Sequence, residues 1–352
     1  MKFCVFITVC VILQTSHQNP IRRWTILPHV LIAEVDGTKG WLPLSCLQLE
    51  ELTRRGNESL DIFWKNNGES EAQRGNVYQV RLLERQGGGN YTCHSRDGSL
   101  LNYTEVLIQE EKTMKRKILV KTGNDYLKCS AQNYNGELSC SWTWHHNRVG
   151  TVLFIRAQRA YNNNNTQCSV DTRGQHWSCS SLHSKFRCSV DQSGNSISCL
   201  DEQHCPYAEE SQQIHITVYV KTKHFLVENY SRQFYLSRIV KPDKVQINKV
   251  NTTMIEWSYP SSWSSPFSYF PLTFQVAQFK RECKSCVNPC TDSQATRIMT
   301  VQSTGMCQFK VKHRSKDVCV RAKDALCDSQ WSEWSHLRLK IKKKNKKNKK
   351  HV

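Results

Sequence analysis

Long apolar runs are missing from this chain of 352 residues. The longest, Phe3–Leu13, is shorter than the roughly 20 residues that cross a bilayer, which argues against a membrane span. Catalytic motifs are missing too: there is no G-x-S-x-G, no H-E-x-x-H and no glycine-rich phosphate loop. The neighbouring carboxylates of Glu209 and Glu210 point to opposite faces of a strand and cannot work as an acid/base couple. No catalytic residue, metal or cofactor is therefore expected; a binding role is. Acidic side chains are scarce, 30 against 49 basic ones, for a net charge of +19. Eight of the lysines lie between Lys340 and Lys350, so much of the excess is a tail and not a surface for nucleic acid.

Cysteine, by contrast, is plentiful, with 17 in the chain. Residues 1–18 have the make-up of a secretion signal: Lys2, then the apolar run, then small and polar residues at Thr15 and Ser16. Its removal takes Cys4 and Cys10 and leaves 15, an odd number. In a secreted, extracellular protein that composition implies disulfides and one thiol to spare. Six N-x-Ser/Thr sequons, at Asn57, Asn90, Asn102, Asn164, Asn229 and Asn251, fit the same compartment as glycosylation sites.

Period-two alternation runs along most of the chain, which reads as all-β. In residues 19–112, Leu42, Leu44 and Cys46 share a strand face, Ile62 and Trp64 another, and Tyr91 precedes Cys93 by two. Cys–Trp–Cys with a tyrosine two before the second cysteine is the immunoglobulin pattern, with Cys46–Cys93 as its bridge. Gly87-Gly88-Gly89 stands where an Asp is usual. Residues 113–240 begin with a second alternating pair. Leu127, Cys129 and Ala131 face one carrying Leu138, Cys140, Trp142 and Trp144, which spaces Cys129 and Cys140 for a cross-strand disulfide. A cysteine-rich insert follows. Cys168-Ser-Val-Asp and Cys188-Ser-Val-Asp open two copies of one pattern, ending at Cys179 and Cys199. Pairing within each copy is the simplest of three connectivities, and the sequence does not choose. Ile214, Ile216, Val218 and Val220 form a further strand, with Phe234–Leu236 the last of this domain. Lys241-Pro242-Asp243 is a hinge. In residues 241–339, Ile255 and Trp257 share one strand, and Leu272, Phe274 and Val276 another. Cys283, Cys286 and Cys290 with His313 have a zinc-like spacing. An oxidising compartment favours disulfides there, with Cys307, Cys319 and Cys327 as further partners.

On the strand Val318–Lys323, Val318, Val320 and Ala322 face the core, while Cys319, Arg321 and Lys323 face away. Just beyond it stands Trp331-Ser332-Glu333-Trp334-Ser335. If the two stretches run side by side, Arg321 and Lys323 can stack on the indoles, each contact contributing roughly 0.5–2 kcal/mol. W-S-x-W-S is the motif that closes the membrane-proximal domain of haematopoietic (type I) cytokine receptors, and the chain resembles that family. The resemblance implies an immunoglobulin-like domain followed by two fibronectin type III domains. The C-P-x-A-E-E-S run from Cys205 to Ser211, Lys241-Pro242-Asp243, the stretch Trp257 to Phe274 and Arg321-Ala322-Lys323-Asp324 are similar to secreted members that form one half of a heterodimeric cytokine.

What such a member would do follows from the resemblance. It would clasp a four-helix alpha subunit at the elbow between the second and third domains, with an interchain disulfide at Cys205. Glu209 and Asp324 would face that partner, and a cell-surface type I cytokine receptor would receive the pair. Parity points to the same thiol: if bonds stay within domains, Cys205 is the residue left over. A soluble decoy receptor, binding a diffusible cytokine reversibly, is the alternative and needs no such bond. Residues 340–352 read as a disordered basic tail. Lys342, Lys343, Lys344, Lys346, Lys347, Lys349 and Lys350 are candidates for binding heparan sulfate.

Overall fold

The computed structural model describes residues 21–36, 39–54, 61–83, 86–110, 117–159, 166–182, 184–204, 212–251, 253–263, 268–280, 297–303, 306–312 and 314–339. They form an all-β chain that divides into two compact units, 1–116 with 221–228, and 117–220 with 229–352. Among the described residues no helix is long and apolar enough to cross a membrane.

In the first unit a six-stranded sheet contains the strands Val30–Val35, Phe63–Asn66, Gly89–His94 and Leu100–Glu110, and a second sheet pairs Lys39–Ser45 with Val77–Leu83. The alternation predicted from sequence is present in the burial. Leu42, Leu44 and Cys46 from one sheet pack with Ile62, Trp64, Tyr91 and Cys93 from the other in a single cluster. Cys46 and Cys93 are bonded through that cluster. The hydroxyl of Tyr91 donates to the Gly87 carbonyl at 2.9 Å, so the corner forms with a glycine where an Asp was usual. The indole N–H of Trp64 donates to the Gly75 carbonyl at 2.8 Å, which lets a polar group lie in an apolar core.

The second unit holds two further pairs of sheets. In the first pair, a three-stranded sheet of Gly150–Arg159, Ile214–Thr222 and Val227–Phe234 packs its first strand across a six-stranded sheet. That six-stranded sheet runs Lys128–Ser130, Glu137–Ser141, Ser196–Asp201, Ser184–Val190, His176–Ser181, Gln167–Val170. The cysteine-rich insert is therefore not a loop: its hairpins continue a domain sheet. Cys168 lies opposite Cys179 and Cys188 opposite Cys199, and each pair is bonded. The two turns are copies as well. Asp171 accepts from the backbone N–H groups of Gln175 and His176, and Asp191 from those of Asn195 and Ser196. Gly174 and Gly194 both sit at φ 68°, where a side chain is disfavoured. The Cys129–Cys140 hairpin shares the spacing and the flanking serines, Ser130 and Ser139. The unit thus contains three C-S-x8-S-C hairpins where sequence reading found two.

Two expectations change here. The strand from Glu137 stops at Ser141, and Thr143–Trp144 pairs instead with Leu119–Val120. Leu236 is not in a strand but begins one helical turn, Leu236–Ile239, closed by the Val240 N–H on the Leu236 carbonyl. In the last pair of sheets, Ile247–Lys249, Met254–Trp257 and Cys307–Lys310 face Arg297–Ser303, Leu272–Phe279, Asp317–Asp324 and Ser335–Arg338. Trp257 and Phe274 meet there edge to face.

Of the sequons, Asn90, Asn229 and Asn251 are exposed, while Asn57 and Asn164 lie outside the described residues. Asn102 differs: its Nδ2 donates to the Cys46 carbonyl at 2.7 Å and its Oδ1 accepts from the Tyr103 N–H. A sugar on that nitrogen must crowd the core disulfide. Glycopeptide mapping of the chain expressed through a secretory pathway should find Asn102 largely unmodified beside Asn90; full occupancy of Asn102 would contradict that geometry.

Candidate functional site

The strand Asp317–Asp324 lies between Leu272–Phe279 and Ser335–Arg338. Beyond its paired stretch the chain 331–335 is tied back to it, because the Ser332 N–H donates to the Ala322 carbonyl at 2.7 Å and the Ser332 hydroxyl accepts from the Ala322 N–H at 2.9 Å. This holds the two indoles over the strand. The Arg321 guanidinium lies 4.7 Å from the Trp331 ring and 4.4 Å from the Trp334 ring, and the Lys323 ammonium 5.2 Å from Trp331. Gln275, opposite Arg321 on the next strand, accepts from its Nε at 2.8 Å and aims the guanidinium. Cys319 was expected to face away from the core. It is fully buried, packed with Ala277, Phe279 and Trp334, because the ladder roofs that face of the sheet. It is disulfide-bonded.

The same motif touches the linker between the two sandwiches of this unit. Gln330 donates its N–H to the Val240 carbonyl at 3.0 Å, the Ser335 hydroxyl donates to the Val245 carbonyl, and Glu333 pairs with Lys241. The Lys241 hydrogen bond holds the Glu333 carboxyl below the usual carboxylate range. From the other side Ala131 bridges Val240: its N–H donates to the Ile239 carbonyl at 3.1 Å and its carbonyl accepts from the Lys241 N–H at 2.7 Å.

A second bolt lies beside the linker. Tyr134, at the turn of the Cys129–Cys140 hairpin, is buried, with its ring edge-on to Trp263 at 5.7 Å and Phe270 at 4.9 Å. Its hydroxyl donates to Asp324 Oδ2 at 2.8 Å. Burial first, and the Asp324 carboxylate second, hold this phenol well above its ordinary range, so it stays a donor. The other Asp324 oxygen accepts from the N–H groups of Leu326 at 2.7 Å and Cys327 at 3.2 Å. Asn133 adds a bond from Nδ2 to the Ser262 carbonyl at 2.8 Å. Asp324 was expected to be an acid facing a partner. In this chain it is fully buried and its carboxylate is occupied from within, since a charge at a closed strand end must be satisfied locally.

Cys205, Glu209, Cys283, Cys286, Cys290 and the tail lysines from Lys342 to Lys350 lie outside the described residues. The structure brings together Arg321, Trp331, Ser332, Glu333, Trp334 and Ser335 as the sequence proposed. It adds Tyr134, Asn133, Ala131 and Gln275, which sequence reading missed. The available signal was the Asn133-Tyr134-Asn135-Gly136 turn, where the other two C-S-x8-S-C hairpins carry no aromatic side chain at their tip.

These features define a class: an all-β chain of tandem sandwiches, the last closed by a tryptophan–arginine ladder. Residues 124–222 match the family described as the C-terminus of cytokine interleukin-12p40. The chain is 28% identical to interleukin-12 subunit beta of Sigmodon hispidus over 329 residues, covering 89% of this chain and 92% of that one. It is 29% identical to that of Mesocricetus auratus, covering 88% and 91%, and 29% identical to that of Homo sapiens, covering 89% and 92%. The chain is thus similar to the interleukin-12 beta subunits along nearly its whole length.

Arg321→Ala removes two stacking contacts and leaves the Gln275 amide without its donor. It should lower unfolding stability by about 1–4 kcal/mol in a denaturant titration, with Arg321→Lys falling between. An unchanged midpoint for Arg321→Ala would show that the ladder is incidental.

Proposed function

We propose that this chain is the secreted, receptor-like subunit of a heterodimeric cytokine. It holds a four-helix alpha subunit at the elbow between its two C-terminal sandwiches, locks it through Cys205 and presents it to a cell-surface type I cytokine receptor. The observation that carries this reading is the disulfide pattern. Of the seven cysteines from Cys129 to Cys205, six are bonded to one another in three hairpins, which leaves Cys205 outside those bonds. Glu209 follows Cys205 by four residues in the sequence, and the Tyr134–Asp324 bond ties the two sandwiches together at the elbow. Asp324, buried and held by Tyr134, Leu326 and Cys327, contributes to that elbow by fixing its shape and not as an acid offered to the partner. A decoy receptor would use the same elbow without the covalent bond.

The sequence beyond Leu339 carries the lysines proposed to bind sulfated glycosaminoglycan, as clustered positive charge attracts a polyanion.

Co-expression with the helical subunit should give a heterodimer that separates on a gel only after reduction, and Cys205→Ser should abolish the linked band while leaving a non-covalent complex. Persistence of the band in Cys205→Ser overturns the assignment. Truncation after Leu339 should lower the salt needed to elute the chain from immobilised heparin; an unchanged elution removes the tail from the account.

A further inference from the structure

The W-S-x-W-S segment has contacts that the ladder does not use. Within six residues it reaches the linker three times: Gln330 to Val240, Glu333 to Lys241, and Ser335 to Val245. The Gln330 side chain adds a longer contact to the Arg238 carbonyl at 3.5 Å. The linker is gripped from its opposite edge by Ala131 of the preceding sandwich. It is therefore held between two elements that belong to different sandwiches.

Little else fixes the angle on this side. An open groove of about 850 Å³ lies between the serine face of the six-stranded sheet (Ser130, Ser139, Ser189, Ser198) and the linker with Glu333. No packed apolar layer fills it. The acid that projects towards it, Glu333, has Lys241, Lys244 and Lys128 as its cationic neighbours, and Lys128 belongs to the far sandwich. The indoles on either side of Glu333 cannot swing, because Arg321 stacks on both.

We propose that this segment is a splint for the elbow. The ladder makes it rigid, and Gln330, Glu333 and Ser335 transfer that rigidity to residues 238–245, so that the angle between the two sandwiches is set before any partner arrives. Glu333, the x of the motif, is a positioning residue: it acts through Lys241. The consequence for binding rests on the elbow being the partner site, as proposed above; the splint itself does not.

The test uses the full chain carrying donor and acceptor dyes on azido residues placed at Ser180 and Ile298, exposed positions on the two sandwiches. Single-molecule energy transfer should give one narrow distribution for the unsubstituted protein. Lys241→Glu and Glu333→Lys should each broaden it, the charge-swapped double variant should narrow it again, and the uncharged Ser335→Ala should broaden it without changing the salt response. A distribution that stays narrow in all three single variants, or a double variant as broad as the singles, overturns the splint. Affinity for the helical subunit is measured on the same variants. It should fall roughly two- to fivefold in the single charge variants and recover in the double, the size expected of an exposed ion pair. Broadening with unchanged affinity would uphold the splint and refute the elbow as the partner site.

Discussion

The guanidinium of Arg321 between two indoles is the interaction on which the C-terminal half depends. Its contacts with Trp331 and Trp334 together outweigh an exposed ion pair such as Glu333–Lys241, which typically contributes at most about 1 kcal/mol. The ladder therefore decides where the motif lies, and the ion pair is added to a segment already in place. Everything further along follows from that placement: the roof over Cys319, the hydrogen bonds to the linker, and the closed end of the strand at Asp324.

The elbow has two fastenings of different character. Tyr134 is an apolar plug with a polar tip, seated among Trp263, Phe270 and Asp324. The linker side is a set of backbone and surface bonds beside an open groove. The first resists separation because it buries an aromatic ring, and the second resists rotation because its bonds are spread along eight residues. The hairpins of the insert extend the adjoining sheet, and Ser189 and Ser198 of the second line the groove beside the linker. Cys179 touches the Ile155 carbonyl and the Ala157 N–H, so their contribution is to the core of the preceding sandwich.

Strands and their buried faces were legible because a pleat places every second residue on one side. Leu42, Ile62, Val218 and Phe274 are all buried as their spacing required. The bonds Cys168–Cys179 and Cys188–Cys199 follow from a turn that brings the ends of a ten-residue spacer opposite each other, although the sequence left other pairings open. Apart from the Cys46–Cys93 bridge, contacts between remote segments could not be read. Asp324 looked like a surface acid because its partner, Tyr134, is 190 residues away. Cys319 looked outward because alternation says which face a residue takes but not that a ladder covers the second face. Gln275 carried no local mark of its role, since only the register of two strands sets it opposite Arg321.

The central claim is that the elbow is rigid in the isolated chain. Backbone hydrogen exchange read at the amides of Lys241 and Gln330 tests it most directly, since each donates across the linker, to Ala131 and Val240. Protection comparable to that of the central strand at Val320, in the absence of any partner, is what the account predicts. Exchange at the rate of an open loop at both amides would contradict it.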